Sequence, residues 1–102
     1  MKAGKKQKLE AKRHFLEINK LLASFGLIKS VLKHANDAYK ERNPAVALLH
    51  YAKILSIYQQ IGNKKGQGVI HNNIGNIHLR SDRIDEALKG YEQAVQCNAI
   101  IF

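Results

Sequence analysis

The stretch "HNNIGNIHLR", residues 71–80, gathers two histidines and three asparagines, the residue types most open to chemistry in this chain. His71 and His78 lie seven positions apart on one helical face. At 1.5 Å per residue that is about 10 Å along the axis. Ligand distances near 2 Å cannot be met from both rings at once. They read instead as packing between the helices of a pair. Cys97 is the single cysteine, and no base accompanies it in sequence. It reads as a small apolar packing residue, and one cysteine excludes an internal disulfide framework. A reducing, intracellular (cytoplasmic) setting fits. "GNKKGQG", residues 62–68, is glycine-rich and basic, but it follows a helix and lacks Gly-Lys-Ser/Thr, so it is not read as a phosphate loop. No Ser/His/Asp set or carboxylate pair emerges. The expectation is a chain that is not an enzyme and needs no metal or cofactor.

The asparagines pose a different question. Asn72, Asn73 and Asn76 fall within five positions of a helical pattern, and each costs roughly 0.5 kcal/mol against alanine there. A carboxamide carries both a donor and an acceptor, so a row of them can pair with the backbone of an extended peptide. The alternatives are structural. Asn73 can bond a neighbouring helix terminus or turn, and Asn72 can be solvated surface.

The elements that position these residues follow from periodicity. Comparing "KERNPAVALLHYAKIL" (40–55) with "RSDRIDEALKGYEQAV" (80–95) aligns Ala47 with Ala87, Leu48 with Leu88, Tyr51 with Tyr91 and Leu55 with Val95, an offset of forty residues. A weaker match places Ala11, Phe15 and Ile18 on the spacing of Ala47, Tyr51 and Ile54. Each repeat reads as two helices. Residues 27–42 carry Leu27, Val31, His34, Ala35 and Ala38 at helical spacing. Asn43-Pro44 reads as an N-cap and first helical position, and Gly62 as a stop. "GNKKG", residues 62–66, is the expected inter-repeat turn, followed by helices over about 67–80 and, after Ser81-Asp82, up to about residue 96. Asp85 and Glu86 sit favourably in the first turn of that last helix. No sheet is expected. Gly75 in mid-helix suits close approach to Ala87, with Tyr91 filling the wider gap one turn on and Ala94 continuing the stripe.

These residues resemble a tetratricopeptide repeat. Its pattern of Leu-Gly, then Ala, a large aromatic and Ala is met by Ile74-Gly75, Ala87, Tyr91 and Ala94, over residues 68–101. Residues 27–66 match through Ala47 and Tyr51, with Ala35 in place of Gly and Ile54 in place of Ala. His71 stands at the usual large residue and Ala99 at the closing proline. The forty-residue period and "IGNKKGQG" are similar to the long-helix subclass of cell-polarity adaptors and kinesin light chains. The resemblance implies an all-α helix-turn-helix solenoid of about five helices: a basic segment and helix at 1–26 that reads as a half-repeat, repeat 1 at 27–66 and repeat 2 at 67–102. It also implies a concave face that holds a peptide or partner helix. On that face the first helices present Lys29, Leu32, Lys33, Asn36, Tyr39 and Lys40, then Val69, Asn72, Asn73, Asn76, Leu79 and Arg80. The lysines and Arg80 favour acidic ligands. Ala47, Tyr51, Ile54, Ile74, Gly75, Ala87, Tyr91 and Ala94 are the implied repeat-packing set. Members that clamp a terminal carboxylate carry Asn at positions matching Asn36 and Asn73, but Leu32 replaces their lysine.

Composition frames the function classes. The chain has 102 residues, 45% apolar and 25% charged, with a net charge of +9, enough for one modest core. No run of eighteen apolar residues offers a transmembrane helix, and no apolar region follows the basic N-terminus as in a secretory signal. Residues 2–20 carry Lys2, Lys5, Lys6, Lys8, Lys12, Arg13 and Lys20 against Glu10 and Glu17. That segment is either a solvated helix end or a surface for polyanions, nucleic acid or anionic membrane. Repeat arrays usually need about three repeats with polar caps. Here there are two, and "CNAIIF" is apolar to its end. The expectation is a fragment of a larger scaffold or adaptor, or a chain that pairs with its own copies through Ile100, Ile101 and Phe102.

Overall fold

The computed structural model describes residues 4–99. The protein is all-α, with α1 Lys5–Lys40, α2 Pro44–Gln60, α3 Lys64–Arg80 and α4 Ile84–Ala99. No strand occurs among the described residues. Ile100, Ile101 and Phe102, expected to be sticky ends, and Lys2 lie outside them.

Three turns set the architecture, and they recur every twenty residues. Arg42, Gly62 and Asp82 hold φ of 59°, 70° and 59°. Directly after each, the backbone N–H of Asn43, Asn63 and Arg83 donates to the carbonyl of Ala38, Tyr58 and His78, at 2.9, 2.9 and 2.8 Å. This closing bond spans five residues and satisfies carbonyls that the helix end leaves free. Only Gly62 adopts the left-handed conformation without a Cβ penalty. Two of the turns then cap the next helix. Asn43 Oδ1 accepts from the Val46 N–H at 3.4 Å, and Asn63 Oδ1 from the Gly66 N–H at 2.8 Å. Pro44 occupies the first turn of α2. Arg83 has no acceptor to offer α4, whose first turn instead carries Asp85 and Glu86 against the helix dipole.

Two sequence expectations are corrected. The turn read over 62–66 is confined to 61–63, because Asn63 caps and Lys64, Lys65 and Gly66 already belong to α3. Among the described residues the helix count is four, not about five: α1 runs unbroken through Phe25-Gly26-Leu27. One glycine costs a helix about 1 kcal/mol, which good helical residues on both sides outweigh.

Each helix packs chiefly on the next in the chain. The core joins Ile28, Val31, Ala35 and Ala38 of α1, Ala47, Tyr51 and Ile54 of α2, and Ile70 and Ile77 of α3. The α3–α4 pair is closer. A Cβ added to Gly75 would lie 2.8 Å from the Tyr91 ring and 3.2 Å from the Ala87 carbonyl, and one added to Gly90 would lie 3.1 Å from Gly75 Cα. Ala87, Ala94 and Cys97 are buried there, while Ile74 and Tyr91 are half-buried. The molecule measures 65 × 31 × 14 Å. Its long dimension comes from α1, whose 36 residues span about 54 Å and run well past the end of α2.

Candidate partner-binding site

The repeat is visible in its hydrogen bonds. Tyr51 Oη donates to Asn36 Oδ1 at 2.7 Å, and Tyr91 Oη to Asn76 Oδ1 at 2.5 Å. The two bonds are forty residues apart and tie α1 to α2 and α3 to α4 in the same way. Asn36 and Asn76 therefore spend their carbonyl oxygens inside the helix pairs and keep only their NH2 groups for a ligand. Burial, with the neighbouring Tyr39 adding to it, pushes the Tyr51 hydroxyl above the ordinary tyrosine range, so it remains a donor at neutral pH. An asparagine fifteen residues before each tyrosine was the available sequence signal.

The other expected ligand-facing residues divide by exposure. Lys29, Lys33 and Lys40 on α1 and Val69, Asn72, Leu79 and Arg80 on α3 are exposed, whereas Leu32, Tyr39 and Asn73 are half-buried. Two of them meet across the helices: the Arg80 guanidinium carbon stands 4.4 Å over the centre of the Tyr39 ring, a cation–π distance. This pair walls a cleft of about 260 Å³ lined by Tyr39, Arg42, Pro44, Ile77, Arg80 and Ser81. The cleft offers an apolar floor, an aromatic face and two guanidiniums, with no carboxylate in its lining. Arg42 was not anticipated. It reads in sequence as a turn residue, and only the left-handed turn that places it beside α3's end brings it to the cleft.

Of the two histidines of α3, His78 faces Glu86 of α4 and His71 is half-buried. His78 Nδ1 is buried without a hydrogen-bond partner, 3.7 Å from Glu86 Oε2. No cluster of three or more metal-ligating side chains occurs among the described residues, and no described helix is long and apolar enough to cross a membrane. His71 is held below the ordinary histidine range by burial. Its neutral form is the one the fold accepts, so the unfolded chain binds the proton first as pH falls below about 6.5. Stability is then highest above that pH and declines as pH drops towards the depressed folded value. Urea unfolding at pH 7.5 and pH 5 is expected to show a smaller pH loss in His71→Gln than in the unaltered chain. An equal loss in both would remove His71 as the cause.

The chain matches no protein-family model, no curated protein and no solved structure.

Proposed function

We propose that the chain is a tetratricopeptide-like interaction module, part of a larger scaffold or adaptor, that binds an acidic peptide along the side formed by α1 and α3. The cleft between Tyr39 and Arg80 carries this reading. It pairs an apolar floor at Ile77 with two guanidiniums and no opposing acid, on a chain of net charge +9. An aspartate or glutamate of the ligand sits against Arg80 and Arg42 in charge-assisted hydrogen bonds. Its neighbours lie along Asn72, Asn73 and the free NH2 groups of Asn36 and Asn76. Each such charged bond contributes about 1.5–3 kcal/mol. Arg80→Ala should therefore weaken binding of a fluorescein-labelled peptide of alternating Glu and Leu by roughly tenfold to a hundredfold. Fluorescence anisotropy reads the loss and circular dichroism checks that the helices persist. Unchanged affinity in Arg80→Ala would sink the proposal.

A second reading, an assembly element, rests on α4. The forty-residue offset maps Leu48 and Leu55, which pack against the core, onto Leu88 and Val95, which are 53% and 66% exposed. On that reading the open face takes a neighbouring repeat.

A further inference from the structure

The N-terminal half of α1 carries an apolar seam that nothing among the described residues covers. Phe15, Ile18, Leu22 and Phe25 follow at alternating steps of three and four residues, and each is more than half exposed. Continuing the same steps along the unbroken helix passes Lys29 and reaches Leu32, Asn36 and Tyr39. The seam therefore runs straight into the cleft side of α1.

Its period decides what covers it. Steps of three and four average 3.5 residues, the repeat by which one helix keeps contact with another that winds around it. A flat lipid surface asks instead for one broad apolar side. Here Leu9, Leu16 and Leu27 are exposed on the side opposite the seam, next to Arg13 and Lys20, so the helix is not apolar on one side alone. Charge narrows the occupant further. The edge of the seam turned away from α2 carries Lys12, Lys33 and Lys40, all exposed, with Asn19 and Gly26 between them and no acid. A second copy of α1 fits poorly. Antiparallel pairing sets these lysine edges against each other, and parallel pairing sets Lys29 on Lys29.

We propose that the seam from Phe15 to Tyr39 is the docking surface for an acidic amphipathic helix of a partner protein. The partner's apolar side lies on Phe15, Ile18, Leu22, Phe25 and Leu32, and its flanking carboxylates face the lysine edge. This rests on the reading of the Tyr39–Arg80 side as a binding site and extends it. The short acidic contact becomes the end of a helix–helix interface about 36 Å long.

The test uses the full chain and two fluorescein-labelled probes. One is a designed helix of about 28 residues with Leu at the seam positions and Glu at both edges; the other is the short Glu/Leu peptide. The long probe is expected to bind at least about tenfold more tightly than the short one, and a version with Lys for Glu at least about tenfold more weakly. The double substitution Phe15→Ser/Leu22→Ser removes two exposed side chains and leaves the core alone. It should weaken the long probe about tenfold or more and leave the short probe unchanged. Equal binding of the long probe to both proteins overturns the seam, while short-probe binding that still depends on Arg80 leaves the cleft standing. Failure of both probes overturns both. Capture of phosphatidylserine vesicles without capture of the long probe, or a dimer abolished by the double substitution, overturns the proposal in favour of lipid or a second copy.

Discussion

Replacing Ile54 by alanine is expected to lower the unfolding free energy by about 4 kcal/mol. Ile54 has no exposed surface and sits in α2 among the buried residues of α1 and α3. The substitution removes about three methylene-sized groups and leaves a void that helices on both sides must partly retain, which puts it in the upper range of such changes. A domain of this size holds about 5–15 kcal/mol in total, so the variant should unfold at a far lower urea concentration. Leu49→Ala on the same helix is the comparison. Leu49 is 70% exposed, and its loss should change stability by under about 0.5 kcal/mol. Similar urea midpoints for the two variants would mean that α2 is not the centre of the core. The position equivalent to Ile54 in the second pair is Ala94, and that equivalent to Ile28 is Gly68. One pair is spaced by isoleucines and the other by an alanine and a glycine, so alanine serves at 94 and leaves a hole at 54.

Gly90→Val is expected to cost about 3 kcal/mol, for the opposite reason. A Cβ at Gly90 would lie 3.1 Å from Gly75 Cα, Gly75 N and the His71 carbonyl oxygen. All three are backbone atoms of α3, so no side chain can rotate aside and the two helices must move apart. Valine gains a few tenths of a kcal/mol in helix propensity over glycine, too little to offset that separation. Gly26→Ala calibrates the measurement. A Cβ there meets nothing within 4 Å in the middle of α1, so the propensity gain of up to about 1 kcal/mol should appear as added stability. If Gly90→Val were as stable as the unaltered chain, the close α3–α4 approach would be wrong.

The all-helical class was legible because the apolar spacing at 27–42 and the forty-residue offset are local patterns, and Asn43-Pro44 marks a helix start in its own residues. The unbroken α1 was not. Gly26 and the family-like spacing around Phe15 both suggest a boundary, yet glycine weakens a helix without ending one, and no proline or capping side chain is there to finish the task. Gly90 is less legible for a related reason: it sits between Ala87 and Ala94 on the buried stripe, but without a side chain it adds nothing to an apolar pattern, and only the partner backbone reveals the approach. The asparagines of the candidate site were read as one row. Two of the residues expected there, Asn36 and Asn76, turn out to accept from tyrosines fifteen positions on. Arg42 joined the cleft through a backbone conformation, and φ is not written in residue type when the residue is arginine.

The equal spacing of the three turns has a further consequence. Residues 44–83 begin just after one closing hydrogen bond and end on another of the same geometry. They form a cassette whose two junctions are interchangeable. A duplicate inserted after Arg83 would enter and leave the backbone in matched conformations: its first helix would follow α3 as α4 does, its second would lead into α4 as α3 does, and α4 would keep its exposed Leu88 and Val95. Gene duplication could lengthen such a chain by whole units without any junction having to be reinvented.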